Sequence, residues 1–241
     1  SMPLYAAPFS PALFWDGRAA SLQEQVLGPI HDAREMNHDA AGAVARLRDT
    51  PPYPAEFLRA FGDAGPTQSP VTADRLARAL AAYVATLRPE RTAFDAFLDG
   101  RRDALDDAQL LGLHLFRTKA RCMNCHNGPL LTDNGFHNIG LSFYGRRNQD
   151  LGRYEVTRDP RDLGKFRTPS LRNVSRAGPW MHNGLFGDLK GLLRMYNAGM
   201  GRETPPADPP DPYAPVKSPH IRRLDLTPEE IDALLAFLEA L

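Results

Sequence analysis

Cys122-Met123-Asn124-Cys125-His126 contains both cysteines of this 241-residue chain, in the Cys-x-x-Cys-His spacing that fastens a haem covalently to a polypeptide. Each thiol can add to one vinyl group to form a thioether, and the adjacent imidazole then lies under the iron as its proximal ligand. Two other chemistries use paired cysteines, and both run short of partners here. A structural zinc site wants four nitrogen or sulfur ligands, which would have to be completed by scattered histidines. A thioredoxin-like redox pair belongs in a βαβ context that this stretch lacks, and it has no use for the histidine. The motif predicts one haem c, attached at Cys122 and Cys125 with His126 on the iron.

The elements that must present these residues read as helices. Val71 to Leu87 and Leu226 to Leu241 both carry apolar residues at i, i+3, i+4 spacing, the mark of an amphipathic helix. In the first, the apolar positions are Leu76, Leu80, Tyr83, Val84 and Leu87. Thr227, Pro228 and Glu230 form a capping-box start for the second. Asp106 and Gln109 cap a third helix that carries Leu110, Leu113 and Phe116 into the cysteines. No segment sustains period-two alternation, so strands should be few and short. The proline-rich stretch 203–219 reads as an irregular covering loop.

Twenty-nine basic and twenty-nine acidic residues cancel, which argues against a nucleic-acid or anionic-membrane partner. No apolar run approaches the roughly 20 residues that cross a bilayer. Ser1-Met2 looks like a cloning scar, so a targeting or anchoring segment upstream is left open. Because haem is attached covalently outside the bacterial cytoplasm, the expected compartment is the periplasm.

The chain also repeats itself. Trp15-Asp16-Gly17 and His182-Asn183-Gly184 each end five residues before a leucine, Leu22 and Leu189. Each copy has a proline-led approach, at Pro3 and at Pro169. His126 lies 58 residues before Gly184, and the same offset from Gly17 falls about 41 residues before Ser1. The expected architecture is mostly α, two tandem cytochrome c-like domains with the first N-terminally truncated. Residues 1–95 would be the remainder of the first domain and 96–241 the second.

Phe14-Trp15-Asp16-Gly17-Arg18, Ser21-Leu22-Gln23-Glu24-Gln25, Glu35-Met36-Asn37, the haem motif with Gly128-Pro129-Leu130, Phe136-His137-Asn138, Gly152-Arg153-Tyr154 and Phe166 through Asn173 together resemble the bacterial di-haem cytochrome c peroxidase and MauG superfamily. The likeness covers nearly the whole chain. Phe143 through Arg146, Pro179 through Gly184 and Met195 through Met200 look most like its tri-haem quinol peroxidase branch. The resemblance implies an upstream haem that meets hydrogen peroxide and a second haem, on His126, that receives electrons from a quinol or a small redox protein. It places Gln25 and Glu35 beside the peroxide-binding haem, Glu35 as the proton carrier, and Trp15 as the bridge between haems. Arg167 and Arg172 would pair with haem propionates. Taken singly, Glu35 is a surface carboxylate, Gln25 a polar helix residue and Trp15 core packing. Their spacing, ten residues from Trp15 to Gln25 and ten more to Glu35, joins them.

By the same resemblance Tyr196 stands where di-haem peroxidases place a distal methionine and MauG a tyrosine. Met195 and Met200 are the alternatives if the helix ends early or slips by one. An oxygen ligand favours the higher oxidation states of iron, and a thioether favours ferrous. His137 and His182 lie in family motifs as ligands or structural residues; His31, His38, His114 and His220 carry no assignment. The resemblance leaves room for a homodimer and for a calcium ion between domains, although the asparagine expected to help bind it falls before Ser1. Three functions follow: a peroxidase, an oxidase of aromatic residues in a partner protein, or, for this chain alone, an electron-transfer cytochrome.

Overall fold

The computed structural model describes residues 2–63, 65, 69–201, 211 and 213–241; most of the proline-rich stretch, 203–210 and 212, lies outside the described residues. The helices among them are α1 (Leu22–His31), α2 (Ala40–Asp49), α3 (Tyr53–Phe61), α4 (Ala73–Thr86), α5 (Ala93–Leu98), α6 (Asp107–Arg117), α7 (Tyr154–Thr157), α8 (Leu189–Asn197) and α9 (Pro228–Glu239). Two short antiparallel strands, β1 (Phe136–His137) and β2 (Phe166–Arg167), pair Phe136 with Arg167 and His137 with Phe166. The chain divides into two compact units: residues 1, 7–13 and 19–87, and residues 2–6, 14–18 and 88–241.

In the smaller unit, α1 packs on α4, and Val44, Phe57, Val71 and Leu76 form an apolar cluster. Thr72 caps α4 by accepting from the Arg75 amide at 3.2 Å, as Ser21 caps α1 through Glu24. The buried face of α4 is Leu76, Ala77, Ala81 and Val84. Tyr83, expected on that face, is 64% exposed, because the small Ala77 and Ala81 carry the buried stripe that apolarity alone assigned to the tyrosine.

The larger unit is built on the crossing of α6 and α9. Both begin with the capping boxes expected for them, Asp106 with Gln109 and Thr227 with Glu230. Gly112 makes the crossing close: a Cβ there would lie 2.0 Å from the Ala233 carbonyl oxygen and 2.7 Å from Phe237 Cβ. Phe237, with no exposed surface, meets the rings of Phe94 and Phe116 edge-on, each at 5.3 Å, a geometry worth about 1 kcal/mol per pair beyond burial. The carbonyls of Ala240 and Leu241 accept from Phe94 and Asn173 at 3.2 and 2.7 Å, tying the end of the chain into this core.

The internal repeat is written into the backbone. Leu13 bridges Ala19, and Trp180 bridges Phe186 in the same antiparallel manner. A constant shift of 167 relates these pairs and also relates left-handed Ala6 to Asn173, Phe14 to Met181 and Gly17 to Gly184. The same shift carries the 3-10 turn Ala7–Phe9 onto Val174–Arg176 and α1 onto α8. This register sets Pro3 opposite Ser170 rather than Pro169; the conserved turn geometry, not the prolines, fixes it. The capped helices α4 and α9 complete the two copies, giving a mostly α, tandem cytochrome c-like architecture.

Candidate haem-attachment site

Past the end of α6 the chain reverses at Thr118, and left-handed Arg121 starts a tight turn over Cys122–Asn124. The Cys125 and His126 amides both donate to the Cys122 carbonyl, at 3.2 and 2.8 Å, which brings the two sulfurs and the imidazole to one turn. His126 Nδ1 lies 3.1 Å from the Leu131 carbonyl. A carbonyl only accepts, so Nδ1 carries the proton and Nε2 keeps the lone pair a metal needs. Burial pushes the His126 imidazole below its ordinary value, against the opposing pull of the Leu131 carbonyl, so the ring is neutral at pH 7.

The thiols have the opposite character to a redox pair. Burial raises Cys122 to about 12, and burial with the nearby Asp133 carboxylate raises Cys125 to about 11, whereas reactive dithiols are held as thiolates. Nor does the motif complete a zinc site among the described residues. The local ligand grouping is Cys125, Asp133 and His137, with ligand atoms within 4.8 Å of one another; it leaves out Cys122 and His126. The donor set fits a haem: two protonated thiols, one imidazole with a free Nε2, and an apolar wall in which Cys122, Trp180, Met181 and Tyr196 pack against the buried cluster that includes Leu189, Leu192 and Leu193.

The three distal candidates lie on or just past α8. Tyr196 is half-buried on the face that packs with Leu189, Leu192 and Leu193. Burial and then the neighbouring Cys122 and Cys125 raise its phenol above the ordinary value, so the hydroxyl is protonated. Met195 is 36% exposed and Met200 is 8% exposed. The Gly199 amide donates to the Tyr196 carbonyl at 2.9 Å, and the Met200 amide to that of Met195 at 2.8 Å. This paired closure is a Schellman motif, and it holds the helix intact through Asn197.

The Phe14–Arg18 loop belongs to the larger unit, and two arginines fasten it. The Arg167 amide donates to the Trp15 carbonyl at 2.8 Å and its Nε reaches the Phe14 carbonyl at 3.4 Å. Arg153 Nη1 donates to the carbonyls of Asp16 and Gly17 at 2.9 and 3.0 Å. Gly17 has φ +73°, and a Cβ would strike Phe136 Cζ at 2.5 Å, so only glycine lets the loop sit there. Arg167 is buried, and its desolvated guanidinium is held below its ordinary value. Arg172 bonds Asp95 at 2.7 Å and the Pro129 carbonyl at 2.9 Å, tying the loop after the haem motif to α5. For Asp95, burial raises the carboxyl, but the Thr92 amide and Arg172 outweigh it and hold the group below its usual value.

Gln25 and Glu35 belong to the smaller unit. Gln25 is 3% exposed, and its Oε1 has no hydrogen-bond partner among the described residues. Glu35 is exposed in the loop after α1, its amide donating to the Asp32 carbonyl at 2.9 Å. His182, the counterpart of Trp15, stacks on Phe166 at 3.6 Å; burial, partly offset by Asp150, pushes it down to about 4. Sequence reasoning quoted Arg153 only within a motif and gave it no role, because that role depends on a contact across 137 residues, and it left His220, which lies 3.3 Å from Asn124 within the haem motif, without assignment.

The chain is similar to several known proteins. Residues 1–103 match the family described as Di-haem cytochrome c peroxidase. The chain is 34% identical to Cytochrome-c peroxidase IdrP1 of Pseudomonas sp. (strain SCT), over 95% of this chain and 64% of that protein. It is 35% identical to Methylamine utilization protein MauG of Paracoccus denitrificans (strain Pd 1222), over 95% of this chain and 67% of that protein. Among solved structures, a MauG-like protein associated with microbial copper homeostasis superposes with a TM-score of 0.83 at 29% identity, covering 100% of this chain and 74% of that one. The diheme peroxidase BthA from Burkholderia thailandensis E264 gives 0.76 at 29% identity, covering 95% and 65%. The chain thus spans about two thirds of the length of these curated relatives. With its haem motif, its repeat and these relatives taken together, the chain belongs to the di-haem cytochrome c peroxidase and MauG family.

Proposed function

We propose that this chain is the electron-receiving part of a periplasmic haem peroxidase that reduces hydrogen peroxide with electrons from a quinol or a small redox protein. The observation that carries this reading is the folded Cys-x-x-Cys-His turn, with Nδ1 of His126 tied to Leu131 and Nε2 left for iron beside an apolar wall. Haem c bound here supplies one-electron redox chemistry, and a second haem is expected upstream in the whole protein. Residues 96–241 form the electron-transfer domain in this reading, and residues 1–95 belong to the peroxidatic one.

Each residue then has a task. His126 would hold the iron, with Tyr196, rather than Met195 or Met200, as the further ligand on this chain. Trp15 would pass electrons between haems, on a loop that Arg153 and Arg167 keep fixed. The unpartnered Oε1 of Gln25 would orient peroxide, and Glu35 would carry its proton between the two oxygens. Arg172, already engaged by Asp95, shapes the haem edge and can reach a propionate only by sharing its donors. Calcium and a homodimer stay outside this reading. No helix among the described residues is long and apolar enough to cross a membrane; the periplasmic placement rests on where haem is attached.

Glu35→Ala in the full-length protein tests the peroxidatic role: turnover should vanish with haem content unchanged, and unchanged turnover would remove Glu35 from the mechanism. A second reading, a MauG-like oxidase of aromatic residues in a partner protein, draws on Tyr196 beside the two cysteines. Covalent modification of a protein partner by peroxide-treated enzyme, in place of small-donor turnover, would select it.

A further inference from the structure

A cavity of about 550 Å³ opens in the larger unit beside the haem-attachment turn, lined by Phe136, His137, Tyr213, Lys217 and His220 among others. That volume suits a small molecule, and two histidines lie in its lining. His137 Nε2 lies 2.7 Å from Asp133 Oδ2. The carboxylate accepts, so Nε2 carries a proton, and in the neutral ring Nδ1 is an acceptor. His220 Nδ1 lies 3.3 Å from Asn124 Nδ2. An amide nitrogen only donates, so Nδ1 accepts and Nε2–H is left as a donor. One ring offers an acceptor and the other a donor, which is what a hydroxyl group requires.

The spacing agrees. At hydrogen-bond lengths of about 2.8 Å, one bridging oxygen would lie about 4 Å from each ring centroid. Centroids 6.4 Å apart then subtend about 110° at that oxygen, close to the tetrahedral angle of a hydroxyl. Of the lining cations, Arg161 is paired with Asp159 and Lys165 with Asp162, while Lys217 is held by the Gly199 carbonyl at 2.8 Å and keeps its charge. A carboxylate has no proton to give an acceptor on His137, so a hydroxyl can satisfy both rings where a carboxylate satisfies one. Phe136 and Tyr213 supply aromatic walls, and Val216, 83% exposed, stands at the rim. We propose that this pocket binds a small hydroxyl-bearing aromatic, a phenol or hydroquinone, with His137 accepting from its hydroxyl and His220 donating to it. Asn124, between the two cysteines, places the bound ring next to the haem-attachment turn. As an electron-donor site the pocket rests on the peroxidase reading; as a binding site it does not.

Titration of the haem-loaded chain with 4-fluorophenol, followed by fluorine NMR without peroxide, tests the proposal. Saturable binding is expected, weakened about fivefold in His137→Phe by loss of one hydrogen bond and abolished in Ala214→Trp, which fills the cavity without removing a polar group. 4-Fluorobenzoate should bind more weakly than the phenol. A hydroquinone bearing one isoprenyl unit separates the sources: a gain in affinity lost in Val216→Ser assigns a lipid-soluble quinol, and equal affinity assigns a soluble phenol. No saturable phenol binding, preference for the benzoate, or phenol binding unchanged in both pocket variants would overturn the proposal. Any of these leaves the peroxidase reading standing, whereas intact phenol binding in a full-length enzyme inert to peroxide would remove that reading alone.

Discussion

Gly112→Ala is the most informative single change to the fold. In an ordinary helix interior, alanine is more favourable than glycine by about 1 kcal/mol, so propensity alone predicts a stabilised protein. The α6–α9 crossing reverses the sign. The added Cβ would lie 2.0 Å from the Ala233 carbonyl oxygen and 2.7 Å from the Ala233 carbonyl carbon. Both are backbone atoms of a helix that cannot swing aside, so the helices must part by about 1 Å to restore contact distance. Overpacking of this kind costs about 3 kcal/mol at the upper end of its usual range, leaving a net loss of about 2 kcal/mol after the propensity gain. For a chain of this size that lowers Tm by about 4–8 °C. Far-UV circular dichroism melts of the haem-loaded chain read the shift directly. Gly42→Ala in α2 is the control, since its Cβ meets side chains and no backbone among its nearest atoms, exposed His38 at 2.6 Å, which can move away, and Asp39 Oδ2 at an ordinary 3.4 Å; it should be neutral or slightly stabilising. A Gly112→Ala protein as stable as the wild type would refute the close crossing.

His182 should make stability fall in acid. Its folded pKa of about 4 lies below the unfolded value of about 6.5, so the unfolded chain takes up the proton first as pH drops. The contribution is therefore full above about pH 6.5 and is lost between about 6.5 and 4, bounded near 3 kcal/mol. Urea unfolding at pH 7, 5 and 4 should show a shallower slope in His182→Gln, and identical slopes would deny the histidine this role. Tyr196→Phe should shift the absorption spectrum and potential of the haem; an unchanged spectrum would hand the distal position to methionine or to no ligand.

What was legible in the sequence was local. Cys122, Cys125 and His126 fall within five residues, so spacing alone suggests their chemistry, and the capping boxes at Asp106 and Thr227 declare themselves within four residues. The repeat was also legible, because Gly17 and Gly184 require the same left-handed backbone and no other residue type satisfies it at so little cost. Contacts across long separations were not. Arg153 reaches Asp16 and Gly17 from the far side of the haem motif, and Arg167, read as a propionate partner, also holds the carbonyl of Phe14. Neither contact leaves a periodic trace. Tyr83 misled because periodicity reports a face only to within a residue or so, and the two alanines that share the buried stripe of α4 carry little apolar signal.

The central claim is covalent haem at one motif, and the intact mass of the matured chain, with a pyridine haemochrome count, tests it most directly. Two thioethers to one haem should add about 616 Da and give one haem per chain, with attachment lost when Cys122 and Cys125 are both replaced by alanine. A bare polypeptide mass after expression with the haem-attachment machinery would contradict the account, because every redox role assigned to these residues depends on that bond.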